Sequence, residues 1–303
     1  MPLKLFDDLG RDVLLGVPPR RIVSLVPSET LNVVRLGAGD RLVGRTDYCV
    51  DPPELAERVP SVGGTKNPRV DDIIALEPDL VLANQEENTR SDLERLAQSQ
   101  VRVFVSFPKR VAEGIAHLAR LARLLGVAGD APVKGLIAQG YAALRDAEAA
   151  RASTPPVRVF VPIWMSPLMT IHGDTFLSDM LDLAGAYNVF CDRPRRYPLA
   201  ADLGLAKPLP PEKIAGRDTR YPRITLDEVV ARAPELILLP DEPHPFSEAD
   251  AEVFRKLDVP AAKSGRIVHC PGKDLSWPGV QSIEGMVRAR ALMTELVARG
   301  GVS

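Results

Sequence analysis

The chain has little that reacts and little that ligates. Its 303 residues hold three cysteines, Cys49, Cys191 and Cys270, and four histidines. No CxxC occurs, which excludes a zinc ribbon and a thioredoxin-like redox motif. The cysteines are few, far apart and odd in number. Buried or incidental thiols are therefore expected, since free cysteine packs as a small hydrophobe, and no disulfide pairing is assignable. His117, His172, His244 and His269 show neither HExxH nor HxxxH spacing, which argues against a metal site made of protein ligands alone. No apolar run reaches the roughly 18 residues of a membrane helix. Charge of one sign is lacking too: 38 Lys and Arg face 40 Asp and Glu, for a net charge of −2. That balance gives no support to electrostatically driven nucleic-acid binding or polybasic membrane binding.

Catalytic signatures are also missing. Gly37-Ala38-Gly39 lacks the third glycine of a dinucleotide fingerprint and lies after a helix pattern, not after a strand. There is no GxxxxGK[ST] and no GxSxG. The acid pairs Asp7-Asp8, Glu86-Glu87 and Asp241-Glu242 read as solvated surface. Nothing assembles a nucleophile, a base and an orienter, so a non-enzyme without a required cofactor or bound metal is expected. Residues 1–12 show no basic region, long apolar region or small-residue cleavage site. Either the chain is cytosolic, or a leader was removed before residue 1.

What is present is an ordinary globular composition, 45% hydrophobic and 26% charged. Prolines number 28 against 22 glycines, which points to rigid connections. The length suggests two domains of roughly 150 residues. Apolar runs at 21–26, 41–45, 80–83 and 101–106 read as strands. They alternate with helical patterns at 30–36 (Ser28 as N-cap, Glu29 in the first turn), 70–76 and 88–99. Such alternation predicts a parallel, helix-covered sheet. Helical spacing continues over 111–125. Residues 131–152 form one long helix, about 30 Å in length, which 153–156 terminate. A second α/β region follows, with strands at 157–162, 236–239 and 266–270 and helices at 176–183, 226–232, 249–257 and 280–299. Residues 192–223, rich in proline and charge, read as a long surface loop. The expected domains are 1–127, a linking helix at 128–154, and 155–303.

A duplication runs through these two regions. Residues 70–82 read VDDIIALEPDLVL and residues 226–238 read LDEVVARAPELIL. Asp71 and Asp72 match Asp227 and Glu228, Pro78 matches Pro234, and Asp79 matches Glu235. Acids suit a helix N-terminus. One reading is a generic α/β unit; the other is two related halves with Asp71 and Asp227 at equivalent points. Trp164, Trp277, Tyr48 and Tyr221 lie on or near loops after apolar runs, and Pro27-Ser28 opens the first such loop. Core packing is one role for these aromatics. Facing a ligand is the other, because open α/β sheets bind at the carboxyl ends of their strands.

Five stretches carry a resemblance: GRDVLLGVPPRRIVSLVPSETL, GAGDRLVGRTDYCVDPPE, VGGTKNPRVDDIIALEPDLVLANQEENTRSDLERL, VRVFVPIWMSPLMTIHGDTFLSDMLDLAGAYNVF and ITLDEVVARAPELILL. In this order, over nearly the whole chain, the sequence resembles the substrate-binding proteins of ABC importers for cobalamin, iron-siderophores and haem, the helical-backbone metal receptors. The resemblance implies two α/β lobes with parallel sheets, bridged by one long rigid helix, with a ligand cleft between the lobes. It implies a monomer that carries a corrinoid or another metal chelate to a membrane permease. It places Asp71 and Asp227 where the family docks on permease arginines, with aspartate where the cobalamin members usually carry glutamate. Pro27, Tyr48, Trp164 and Tyr221 fall at or beside ligand-contact positions. Thr65 and Asn84 stand where a well-matched cobalamin binder has aromatics, and the segment from Glu86 to Arg90 makes the site more polar. The ligand would stack on Trp164, Tyr48 and Trp277, with polar contacts from Ser28, Asn84, Glu86 and Arg90. If the cargo were haem, Tyr48 would be an axial phenolate. The resemblance implies a periplasmic or extracytoplasmic location. A cytosolic protein that handles tetrapyrroles or metals is the alternative.

Overall fold

A computed structural model describes residues 3–153 and 155–299. Met1, Pro2, Thr154 and 300–303, which include the outer limits of the expected domains, lie outside the described residues. The chain divides into two compact units, Met1–Ala142 with Pro278–Ile283, and Ala143–Trp277 with Glu284–Ser303.

In chain order the first unit contains β1 (Leu3–Phe6), β2 (Asp12–Leu15), β3 (Ile22–Ser24), α1 (Pro27–Arg35), β4 (Leu42–Arg45), α2 (Pro53–Arg58), α3 (Val70–Ala75), β5 (Leu80–Asn84), α4 (Arg90–Gln98), β6 (Val103–Ser106) and α5 (Val111–Leu124). The long helix α6 (Ala131–Arg151) holds the unit boundary. β1 and β2 form an antiparallel hairpin. The main sheet is parallel throughout, in the order β4-β3-β5-β6. β5 reads LVLAN with every residue buried, the continuous apolar run of a parallel strand covered on both faces. Its core joins Val23, Leu25, Ile73, Val81, Ala83, Leu96 and Val105.

The second unit contains β7 (Val157–Phe160), β8 (Pro162–Met165), β9 (Leu168–Thr170), α7 (Phe176–Leu183), β10 (Ala186–Asn188), α8 (Leu199–Asp202), α9 (Pro211–Ile214), α10 (Leu226–Arg232), β11 (Leu236–Pro240), α11 (Glu248–Arg255), α12 (Pro260–Lys263), β12 (Ile267–Cys270) and α13 (Gly272–Ser276); α14 (Val280–Arg299) starts in the first unit. Its main sheet is also parallel, in the order β10-β7-β11-β12. Phe160, Phe190 and Phe254 form its aromatic centre, with ring centroids 5.4 and 5.8 Å apart. Counted within its own sheet, each unit has the strand order 2-1-3-4. The two halves thus share a topology as well as a repeated sequence, and the α/β class expected from the alternation is the class observed.

Three local readings are corrected. The first helix starts at Pro27, with Val26 as its N-cap and no side-chain cap. Proline fits the first helical position because its fixed φ is helical and its missing N–H is not needed there. Ser28 therefore sits inside the first turn, buried, and is not the cap. The strand expected over 157–162 is two strands, β7 and the start of a β8–β9 hairpin. Finally, 192–223 is not simply a surface loop. It carries α8 and α9 and folds around a buried ion pair. Arg193 lies 3.0 Å from Asp202, both almost fully buried, and 2.9 Å from Glu228. Asp202 also accepts the backbone N–H groups of Arg196 and Arg223. Buried charges persist only when paired in this way, and the proline-rich sequence hid that pairing. The three cysteines are free, Cys49 and Cys270 buried and Cys191 partly so.

Candidate ligand site

In an open parallel sheet, ligands bind outside the carboxyl ends of the strands where the strand order reverses. In a 2-1-3-4 sheet that point lies between the first and third strands: β3 and β5 in the first unit, β7 and β11 in the second.

At the first point, β3 leads through Leu25 and Val26 into Pro27 and Ser28, and β5 ends at Asn84. Asn84 is buried and fixed at both ends of its amide. Its Nδ2 donates to Ser106 Oγ at 3.3 Å, and its Oδ1 accepts the Glu86 N–H at 2.8 Å. Asn88 binds the loops together: its Nδ2 donates to the carbonyls of Leu25 and Thr65, and its Oδ1 accepts the Asn84 N–H. Lys66 donates to the Glu86 carbonyl. The structure thus groups Pro27, Ser28, Asn84 and Glu86 at one strand-end cluster. Tyr48 follows β4 on the adjacent edge, 64% exposed. Arg90 does not join them. It opens α4, fully in solvent, and reaches along its own helix to Glu94 at 2.6 Å.

At the second point, the β8–β9 hairpin carries Trp164, 44% exposed. The loop after β11 brings up His244, whose ring lies 5.3 Å from the Trp164 ring and 4.6 Å, edge on, from Phe246. Glu242 in the same loop accepts from Ser276 Oγ at 3.3 Å. Burial pushes its carboxyl up from the ordinary value, and the Asp241 charge adds to this, against hydrogen bonds from Ser276 and Trp277. Trp277 is thereby tied to the loop that bears His244. Gly272 permits the approach, since a Cβ there would lie 2.6 Å from Glu242 Cγ. Tyr221 lies on a segment that pairs beside the hairpin. The Ile224 N–H bonds to the Leu168 carbonyl and the Thr170 N–H to the Pro222 carbonyl, so 219–224 adds a third antiparallel segment beside β9. Trp164 and Trp277 are therefore both tied to the loop after β11.

Asp71 and Asp227 occupy matching places in the first turns of α3 and α10, both exposed. Asp71 is paired with Arg95 of α4. His244, Glu242 and Asn88 were missed as site residues by the sequence reading. The signal for His244 was a histidine between two prolines just after an apolar strand. Nothing in the sequence marked Asn88 as the residue that ties three loops. Among the described residues no three of His, Cys, Asp and Glu are grouped so as to hold a metal ion, and no helix is long and apolar enough to cross a membrane.

The chain was compared with known proteins. The model of a family described as periplasmic binding protein matches residues 22–273. The vitamin B12-binding protein of Yersinia pseudotuberculosis serotype I (strain IP32953) is 28% identical over 251 residues, 82% of this chain and 80% of that protein. The vitamin B12-binding protein of Photorhabdus laumondii is 28% identical over 226 residues, 74% of this chain and 72% of that protein. Among solved structures, the periplasmic vitamin B12-binding protein of Vibrio cholerae aligns with a TM-score of 0.71 at 20% identity, covering 92% of this chain and 98% of that one. The apo periplasmic haem-binding protein of Roseiflexus sp. RS-1 aligns with a TM-score of 0.72 at 19% identity, with the same coverage. At these identities the structures speak for the fold.

Proposed function

The chain belongs to the periplasmic binding protein family, and we propose that it binds a corrinoid or a related metal chelate and delivers it to the permease of an ABC importer. Family membership makes it a solute-binding protein, not an enzyme. The observation that carries the ligand class is the aromatic and polar set at the strand ends: Trp164, Trp277 and Tyr221 in one unit, Pro27, Ser28, Asn84 and Glu86 in the other, with exposed Tyr48. Flat apolar macrocycles suit exposed indole and phenol rings, each such stack contributing about 1 kcal/mol beyond area burial. The metal arrives inside the chelate, so the protein needs no metal site of its own. Arg90 is a candidate contact only through movement of its side chain away from Glu94. In this reading 128–154 is the helix that joins the domains 1–127 and 155–303, Asp71 and Asp227 meet permease arginines, and the protein works outside the cytoplasm as a monomer.

A second reading is haem as cargo with Tyr48 as axial ligand, favoured by the exposure of that phenol. Titration of the purified protein with cyanocobalamin, cobinamide and haemin, followed by calorimetry and visible absorbance, tests both. Sub-micromolar binding of a corrinoid is the expected result. A Soret band that shifts in Tyr48→Phe selects haem. Fractionation of the native organism tests the location, and recovery in the cytosol would favour a cytosolic tetrapyrrole- or metal-handling protein.

A further inference from the structure

Asn88 is 5% exposed and meets three segments of the first unit at once. Its Nδ2 donates to the Leu25 carbonyl after β3 at 3.3 Å and to the Thr65 carbonyl at 3.0 Å. Its Oδ1 accepts the Asn84 N–H at the end of β5 at 2.9 Å, and the Asn88 N–H returns a bond to the Asn84 carbonyl at 3.0 Å. A primary amide has two N–H donors and a carbonyl acceptor. Here both donors and the acceptor are spent on backbone. Aspartate has the same length and no donor; leucine has a similar shape and neither.

The Thr65 carbonyl belongs to the tip of a short hairpin. Gly63 and Pro68 form an antiparallel bridge, and the Arg69 N–H donates to the Val62 carbonyl at 2.7 Å. At the tip, Lys66 donates to the Glu86 carbonyl, so the tip is fastened twice to the loop after β5. At the stem, the Gly63 carbonyl accepts the Asp47 N–H at 2.8 Å. A Cβ on Gly64 would lie 3.6 Å from Tyr48 Cε2, so the Gly64 backbone rests against the ring of Tyr48, which is otherwise largely in solvent. Asn88 is thus joined to Tyr48 through the single stretch of backbone 63–65.

We propose that Asn88 is the positioning residue of the first unit's ligand face. Without touching the ligand, its amide holds the 63–68 tip against the loop after β5, and so fixes the Tyr48 ring and the Glu86 segment in the form in which the ligand meets them. This rests on the reading of Tyr48 and Glu86 as ligand contacts and deepens it. Loops ordered before binding need not be ordered by it, which adds to affinity, and a binding side chain is only as well placed as the groups that hold it. Without the amide, two carbonyls and one N–H lose their partner inside the protein. Buried unpaired groups are costly, so the tip parts from the loop, water enters, and Tyr48 is released.

Asn88→Ala tests it beside Arg21→Ala, which loosens the same unit at the amino end of β3, the end of the sheet away from the site. The first readout needs no ligand. Peptides covering 61–69 and 84–88 should exchange their amide hydrogens at least about tenfold faster in Asn88→Ala. In protein labelled with 3-fluorotyrosine, the Tyr48 resonance, assigned through Tyr48→Phe, should shift while the other four tyrosines stay in place. Arg21→Ala should change neither. Asn88→Asp keeps the bond to the Asn84 N–H and lacks both donors, so it should loosen 61–69 and spare 84–88; it also serves if Asn88→Ala fails to fold. The second readout is calorimetry with cyanocobalamin and with haemin. Whichever binds the parent should bind Asn88→Ala about tenfold more weakly and Arg21→Ala within about twofold of the parent. In a Tyr48→Ala background the Asn88→Ala loss should shrink, because coupled residues are not additive. Unmoved loops and Tyr48 resonance, an unchanged affinity in Asn88→Ala, or an equal loss in Arg21→Ala would overturn the positioning role and leave the binding function standing. A parent that binds neither chelate would overturn the ligand reading, and this role with it.

Discussion

Arg21 and Arg158 make the same contacts in the two halves of the chain. Arg21 Nη2 donates to the Leu76 carbonyl at 2.7 Å, and Arg158 Nη2 to the Arg232 carbonyl at 2.6 Å. The Arg21 N–H meets the Asp79 carboxylate at 2.9 Å, and the Arg158 N–H meets that of Glu235 at 3.0 Å. The return bonds, Asp79 N–H to the Arg21 carbonyl and Glu235 N–H to the Arg158 carbonyl, are both 2.8 Å. Glu77 and Ala233, at matching places between helix and strand, have φ of 44° and 45°. Each arginine thus caps the last carbonyls of its repeat helix and fixes that helix to the first strand of its sheet. The repeat seen in sequence is a repeated joint.

Each joint should have a similar worth. Arg21→Ala and Arg158→Ala are each expected to cost about 1 kcal/mol, the net value of solvent-accessible hydrogen bonds. They share no partner, so the double variant should be close to additive. Ala233→Gly should act in the opposite direction, because glycine adopts positive φ without the Cβ penalty. Urea midpoints give all four values. A silent Arg158→Ala beside a costly Arg21→Ala would refute the equivalence.

Acid should loosen the first unit through Glu29. Its Oε1 lies 2.8 Å from Nε2 of fully buried His117. Burial pushes the carboxyl up, but the His117 charge and hydrogen bonds from His117, Ser106 and Asn32 outweigh it and hold the group below its ordinary 4.5. Asp8 is likewise held below 3.8: burial raises it, while Arg120 and the Phe107 N–H lower it further. A carboxyl held low binds fewer protons folded than unfolded. Its stabilisation is therefore complete above about pH 4.5 and is lost as pH falls through the native value. Glu29→Gln should be less stable than the parent at pH 7 and lose less on acidification. Parallel stability curves against pH for the two proteins would rule out this role.

Thiol chemistry should single out one cysteine. Burial and the Asp241 and Asp274 charges push Cys270 up to about 12, and burial pushes Cys49 up as well. A thiol reacts as its thiolate, so both should resist alkylation at pH 8 until the protein unfolds. Cys191, partly exposed, should account for the fast phase with iodoacetamide, and Cys191→Ser should remove it. Mass spectrometry of the labelled peptides decides, and early label on Cys270 would contradict the assigned burial.

Replacing both Asp71 and Asp227 with alanine should abolish ligand-dependent stimulation of a reconstituted permease and leave ligand affinity within about twofold of the parent, since charge-assisted pairs at the rim of an interface act on docking. Asp71 already pairs with Arg95, so Arg95→Ala should strengthen docking by freeing that carboxylate. Loss of ligand affinity in the double variant would place these residues in the ligand site instead.

The α/β class, the long helix, the repeat helices and the strands leading to the site were legible in the sequence, because each rests on local signals. Helix periodicity is set within a turn or two, and buried parallel strands announce themselves as apolar runs. Leu226–Arg232, Phe176–Leu183 and Val280–Arg299 were read to the residue. The aromatics Trp164, Trp277 and Tyr221 were legible as candidates, because a ring on a loop after a strand has a restricted set of uses. What depends on partners distant in the chain was not legible. The hairpin beside Trp164 needs the segment at 219–224 as a third strand. The burial of Arg193 needs Glu228, and the placing of Asn84 needs Ser106. A charged, proline-rich stretch looks the same in sequence whether its charges face water or each other.

The sequence by itself thus determined the main helices and most of the parallel strands, their alternation and their duplication, through backbone sterics and the periodicity of apolar side chains. Only the tertiary structure decided that both sheets take the order 2-1-3-4, that the His244 ring lies beside Trp164, and that Arg193 is buried against Asp202 and Glu228. Those facts follow from strand pairing and buried charge, which are fixed by contacts between residues far apart in the chain.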